Sequence, residues 1–201
     1  MVKLQLGSCQ SYKKDWVNTD GFPMDIKDMS IRSQVSLLDV TKTFPYDNNS
    51  VDFIYAEALI EHISQEEAEF MLSECSRVMT SGGITRISTP DINFIMNLKD
   101  DDEYTKFIST KFLKMPNHSA VQVINNAFRA WGHVFLYDKK TLISAALSNG
   151  FTSYKECKYG ESDHTELKNC EEHGKNIGNI PMAVEEAMIM EFIKTNTGEV
   201  K

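Results

Sequence analysis

No stretch of this 201-residue chain holds the roughly 18 consecutive apolar residues that a membrane-spanning helix needs. The N-terminal run Met1-Val2-Lys3-Leu4-Gln5-Leu6-Gly7 has the pattern of a strand and lacks the long apolar core of a secretory signal, so a cytoplasmic protein is expected. Four cysteines, Cys9, Cys75, Cys157 and Cys170, show no C-x-x-C spacing, which points to reduced thiols and away from a disulfide frame or a zinc knuckle. Lysine and arginine form no run, and the net charge is -8. That excludes a partner held by its phosphate backbone, so no nucleic acid is expected. No H-x-x-x-H or H-E-x-x-H pair occurs among the five histidines, and no metal site is expected. A G-x-G-x-x-G run is also missing, which disfavours a nicotinamide-dependent oxidoreductase.

What remains is an ordinary globular composition, 41% hydrophobic and 25% charged, long enough for one well-buried domain. The most informative stretch runs from Phe44 to Pro90. Asp47-Asn48-Asn49-Ser50 supplies turn residues, and Asp52-Phe53-Ile54-Tyr55-Ala56 is an apolar run too short for a helix. Ser64 caps a helix, with Glu67 completing a capping box. Phe70, Met71, Cys75, Val78 and Met79 follow at helical spacing, Gly82-Gly83 is expected to stop the helix, and Ile84-Thr85-Arg86-Ile87-Ser88 reads as the next strand. Together these predict one right-handed β-α-β unit of a parallel sheet.

The segments VDFIYAEALIEHIS and ECSRVMTSGGITRISTPD resemble the fourth strand, following helix and fifth strand of class I S-adenosylmethionine (SAM)-dependent methyltransferases. The opening Leu4-Gln5-Leu6-Gly7 with Trp16-Val17-Asn18-Thr19-Asp20 is similar to small predicted members of that family with a short first crossover. Only about nine residues separate Gly7 from the second strand, too few for the usual crossover helix of a dozen or more. The resemblance implies an α/β, Rossmann-like fold: a seven-stranded, mostly parallel sheet, closed by a terminal antiparallel hairpin and carrying a helical insertion after strand five. Residues 1–201 would be one domain, with 91–131 as an insertion or lid.

It also implies SAM as cofactor, bound on loops where parallel strands leave the sheet. Gly7, Ser8 and Cys9 follow the first strand; Asp20 follows the second, where a carboxylate can accept from both ribose hydroxyls; Asp39, with Val40, follows the third and can accept from an adenine amino group. Glu57 and His62 would line the cofactor side after strand four. Cys9 stands where the family has a second glycine, a departure that bears on cofactor affinity. On the acceptor side Glu57 comes first and His133 second as catalytic candidates. No N/D-P-P-Y/F motif follows strand four, Ala56-Glu57-Ala58-Leu59 standing there. By elimination the acceptor is a small molecule or sugar, methylated on oxygen. The alternative is a non-catalytic, degenerate methyltransferase-fold binding module.

The rest of the chain adds context. Asp100-Asp101-Asp102-Glu103 reads as a solvated helix start, followed by helices within Tyr104–Met115 and Ala120–Trp131, with Phe107, Phe112, Phe128 and Trp131 as lid core. Asp138 is expected to cap a helix over Lys139–Ser148, and Phe151–Tyr159 and Ala183–Ile193 to form the final strands. Between them lies a long polar loop, Gly160–Gly174, functional or mobile by its length, in which His164 and His173 are further site candidates. A homodimer through the hairpin edge or the insertion is possible, and no periodic pattern singles out a surface for it.

Overall fold

The computed structural model describes residues 1–195; the last six residues of the expected single domain lie outside the described residues. Seven strands, β1 (Lys3–Leu6), β2 (Val17–Asp20), β3 (Val35–Leu37), β4 (Val51–Glu57), β5 (Met79–Pro90), β6 (Ser153–Cys157) and β7 (Ala187–Ile193), form one sheet in the order β3-β2-β1-β4-β5-β7-β6. The first five are mutually parallel, and β7 runs antiparallel to both β5 and β6. The Rossmann-like expectation is met. The described α-helices are α1 (Met29–Arg32), α2 (Gln65–Val78), α3 (Ile92–Met96), α4 (Glu103–Lys111), α5 (Ala120–Arg129), α6 (Lys139–Ser148), α7 (His173–Asn176) and α8 (Ile180–Glu186), with short 3-10 turns at Pro23–Asp25, Ile60–His62 and Thr165–Leu167.

Local chemistry explains most boundaries. The Ser64 hydroxyl accepts from the Glu67 backbone N–H while the Glu67 carboxylate accepts from Ser64 N–H, so α2 begins with the expected capping box. Its Ala68, Met71, Leu72, Cys75 and Val78 are buried against the sheet, whereas Phe70 turns toward solvent. Asp138 caps α6 through Thr141 N–H, also as expected.

Two expectations are corrected. Gly82 and Gly83 do not stop α2: the chain turns straight from Val78 into β5, and both glycines lie inside that strand. There the pairing with β4 jumps from Val51↔Met79 to Phe53↔Ile84, a bulge in which a Cβ on Gly83 would come within 2.3 Å of Met79 Sδ. The last strand begins at Ala187, not Ala183. Asn179 accepts from Met182 N–H and a proline sits in the first turn, so 180–186 winds as α8 although its apolar residues continue those of the strand.

The two faces of the sheet are covered differently. On one, Leu4, Leu6, Ile54, Ala56, Ile87, Met190 and Phe192 pack beneath α2 and α6. On the other, a row of polar and aromatic residues runs in register across six strands: Asn18, Gln5, Tyr55, Arg86, Glu191, Lys155. Helices of the first crossovers normally cover such a face. Here the β1–β2 connection is a loop without a helix, held by Asn18, whose Oδ1 accepts from Lys13 N–H at 2.8 Å and whose Nδ2 donates to the Lys13 and Trp16 carbonyls at 2.9 Å.

The segment between β6 and β7 supplies the missing cover. Leu167 and Cys170 bury themselves against Phe53, Tyr55 and Ile84. The fully buried Arg86 donates through Nε to Glu171 and through Nη1 to Glu191, both at 2.7 Å, and through Nη1 to the Glu161 carbonyl at 3.0 Å. Glu171 in turn accepts from Gly160 N–H at 3.0 Å. The polar loop expected to be functional or mobile is thus a packed layer, with His164 against the Phe53 ring.

An Arg86→Met variant leaves two carboxylates buried without their cation. Its stability should fall by about 3–5 kcal/mol at pH 8. Part of the loss should be recovered near pH 5 as the unpaired carboxylates take up protons, measured by urea denaturation at both pH values.

Candidate active site

The loops that leave β1, β2 and β3 are tied to one another. Gly7 has φ +61°, and a Cβ there would meet Leu59 Cδ1 at 2.9 Å, so glycine is required by both conformation and space. Ser8 N–H donates to the Thr19 carbonyl at 2.8 Å. Cys9, at φ +45°, donates its N–H to Asp20 Oδ2 at 2.8 Å, and Phe22 N–H donates to Asp20 Oδ1 at the same distance. Asp20 therefore braces the first loop against the second strand and keeps a further lone pair on each oxygen. Asp39 accepts from the hydroxyl and N–H of Thr41, which hold its carboxyl below the usual range, and Val40 is buried beside it. The buried Ser8 hydroxyl has no hydrogen-bond partner among the described residues. A polar ligand seated on this loop would satisfy it, and the residues present fit a nucleoside-type cofactor to that extent.

Leu6 pairs with Ala56, so Gly7 leaves the sheet beside Glu57. Next to it, over the ends of β4 and β5, opens a cavity of about 200 Å³. Its apolar wall comes from the insertion, including Ile95, Ile108, Phe112 and Trp131. Helices α3 to α5 share an apolar core around Ile95, Tyr104, Ile108, Val123 and Ala127. Of the aromatic residues expected as lid core, Phe112 meets both Phe107 and Trp131 edge to face at 5.9 and 5.8 Å, while Phe128 is turned outward. Asp102 stands at the N-cap of α4, and Asp100 accepts from Ala120 N–H at 2.7 Å, in keeping with a helix start.

The expected acceptor-side residues Glu57 and His133 both line this cavity, as does His62, whereas Gly7, Ser8, Cys9, Asp20, Asp39 and Val40 do not. Glu57 is engaged in a way the sequence did not reveal. Its carboxylate accepts from Glu172 N–H at 2.9 Å and from His173 N–H at 3.0 Å, anchoring the start of α7. Burial raises its pKa against the lowering effect of those two amides. His133 Nδ1 faces the Ala127 carbonyl at 2.8 Å; a carbonyl only accepts, so Nδ1 carries the proton and Nε2 presents a bare lone pair. His62 meets His133 edge to face at 5.0 Å, and burial together with the neighbouring imidazole holds its pKa below the ordinary value.

Glu61 is the residue that sequence reasoning missed. It is fully buried in the short turn Ile60–His62, its Oε2 accepts from the Thr89 hydroxyl at 2.9 Å, and burial pushes its pKa up to about 7. The signal was present in the Glu61-His62 pair, of which only the histidine was singled out. The candidate His173 also lines the cavity, beside two residues that the sequence did not single out: the Tyr104 hydroxyl donates to Glu186, whose other oxygen lies 3.3 Å from His173 Nε2. That hydrogen bond raises the His173 pKa.

Residues 10–87 match the family model of the methyltransferase domain. The expected kinship with class I SAM-dependent methyltransferases is borne out over that stretch, and the fold agrees over nearly the whole chain. A SAM-dependent methyltransferase of Thermotoga maritima, described as a possible histamine N-methyltransferase, superposes with a TM-score of 0.57 at 12% identity, covering 96% of this chain and 82% of that one. The YcgJ protein of Bacillus subtilis gives 0.55 at 12%, covering 96% and 92%. A chain from the Haloferax volcanii complex of the Trm112 methyltransferase activator with a putative methyltransferase gives 0.54 at 11%, covering 97% and 83%. No curated protein matches in sequence. No helix of the described residues is long and apolar enough to cross a membrane.

The raised pKa of Glu61 makes a pH prediction. The folded state binds its proton more tightly than the unfolded state, so the contribution is complete below the unfolded value near 4.5 and is lost as pH rises toward 7. Glu57 and His173, also raised, act in the same direction, and His62, lowered, opposes them. In buffer containing EDTA, the unfolding free energy of the native protein should fall by about 2–3 kcal/mol between pH 5 and 8 relative to a Glu61→Gln variant, which has no proton to lose there.

Proposed function

We propose that this protein is a SAM-dependent methyltransferase acting on a small molecule that enters the cavity over β4 and β5. The observation that carries the reading is the sheet order with acidic residues at the exits of β2 and β3, beside a cavity at the exits of β4 and β5. In this reading Gly7, Ser8 and Cys9 cradle the methionine part of the cofactor, Asp20 accepts from the ribose, Asp39 and Val40 meet the adenine, and Glu57 and His62 line the side toward the acceptor. When bound, SAM supplies an electrophilic methyl on a sulfonium, so the protein's work is orientation and exclusion of water.

The largely apolar wall favours an acceptor with an apolar body and one polar reacting group over a sugar. An oxygen acceptor must lose a proton, and in the metal-free site the bare Nε2 of His133 is a suitable receiver. Glu57, its oxygens committed to the amides of Glu172 and His173, serves in this reading to hold the wall of the site.

Titration calorimetry and thermal shift with SAM and S-adenosylhomocysteine, with NAD as control, test the proposal. Micromolar binding of either sulfur nucleotide is expected, with at least about a tenfold loss in Asp20→Ala; ligand at about 100 times Kd should stabilise the fold by about 2.7 kcal/mol. Heatless titration with no thermal shift would replace this reading with the degenerate binding module, for which Cys9 in the first loop speaks. Two variants probe that loop directly. Gly7→Val should abolish binding, since valine can neither adopt φ +61° nor avoid Leu59. Cys9→Gly should bind at least as tightly and gain up to about 1 kcal/mol of stability by removing a side chain from a left-handed position.

A further inference from the structure

Three potential ligand groups from distant parts of the chain meet at the floor of the cavity. Glu61 and His62 are neighbours on the turn after β4, and His133 arrives after α5. A backbone clamp fixes the meeting: the N–H groups of Val134 and Phe135 both donate to the Glu61 carbonyl, at 2.7 and 3.2 Å, so the residue before them is held beside the turn. One carboxylate oxygen and one ring nitrogen from each histidine lie within 4.8 Å of one another.

The outer partners of these groups are those of metal ligands. His133 is oriented by the Ala127 carbonyl on Nδ1, which leaves Nε2 free, and the His62 ring is set edge to face against His133 with its Nδ1 beside Gly132. Glu61 is oriented in the same way by the Thr89 hydroxyl on Oε2. Its other oxygen, Oε1, is buried and has no hydrogen-bond partner among the described residues. Buried carboxylate oxygens ordinarily have one. No lysine or arginine lines the cavity among the described residues, while Glu57, Glu61 and Glu186 all do. Carboxylates gathered away from water call for a cation, and the side chains supply only imidazoles.

We propose that Glu61, His62 and His133 form a binding site for a divalent transition-metal ion, with an open coordination position facing the cavity. Two imidazoles and one carboxylate suit zinc and its first-row neighbours better than magnesium or calcium, which prefer all-oxygen shells. Three protein ligands with the cavity on the fourth side is the arrangement of an open site. Bonds of about 2.0–2.1 Å place tetrahedral ligands about 3.3 Å apart, so the ion draws the groups together from their present separation. Both histidines are partly exposed, which leaves their rings room to rotate. Spacing could not disclose the site, because two of its ligands are adjacent and the third comes from beyond the insertion.

The test is a titration of chelator-stripped protein with zinc chloride in the absence of SAM, so that its outcome is independent of methyl transfer. One zinc per chain is expected, with affinity reduced at least about tenfold in His133→Ala and in Glu61→Gln, whose metal-free circular dichroism and melting curves are recorded alongside. Cobalt in place of zinc should give visible d–d bands without a thiolate charge-transfer band. Imidazole nitrogen NMR of the unaltered protein provides a readout that needs no variant: the His62 and His133 signals should move on adding zinc while those of His118 and His164 stay. Failure to bind one equivalent, unchanged affinity in both folded variants, a thiolate band, or shifts confined to other histidines would overturn the proposal.

Discussion

Arg86 brings a guanidinium into the middle of a sheet face from which water is excluded, and Glu191 from the adjacent strand with Glu171 from the β6–β7 segment supply the counter-charges. A charge so buried is tolerable only when paired and hydrogen-bonded on every side, and the carbonyl of Glu161 takes a further donor. The constraint behind it is the short first crossover. With no helix between β1 and β2, the face carrying Gln5, Tyr55 and Arg86 needs another cover, and the connection between β6 and β7 supplies it. The ion cluster pins that connection in place.

Once pinned, the segment continues into α7, whose first amides are received by Glu57. His173 is thereby delivered to the cavity and pairs there with Glu186, which also accepts from the Tyr104 hydroxyl. One wall of the candidate site thus depends on an electrostatic arrangement on the far side of the sheet. The opposite wall has a separate origin: α3 to α5 form their own small apolar core, and the chain returning from α5 is clamped to the Glu61 carbonyl, which sets His133 beside His62. The site is a meeting of two independently supported layers over the ends of β4 and β5.

Much of this was legible in the sequence where the governing interaction is local. The capping box at Ser64, the Asp138 cap, the second and fourth strands to within a residue at each end, and the missing crossover helix depend on residues close together in the chain, and they stand as read. The misread elements lost to longer-range effects. Gly82 and Gly83 have the composition of a helix stop, yet Met79 pairs with Val51, and the surplus residues must then bulge from the strand. Residues 180–186 look like more strand, but the Asn179 cap and a first-turn proline wind them up before the sheet is reached.

By itself the sequence determined the β-α-β unit from Phe44 to Pro90, its capping box and its first turn, because capping and turn chemistry act within a few residues, while the full seven-stranded sheet followed from the family resemblance. The sequence also put Asp20 and Asp39 at the exits of the second and third strands. Only the tertiary structure decided the use of the remaining side chains. It committed Glu57 to backbone amides, packed Leu167, Cys170 and Glu171 of the polar 160–174 loop against the sheet, and brought Glu61, His62 and His133 together. These outcomes depend on burial and on contacts between residues far apart in the chain, which a one-dimensional pattern does not encode.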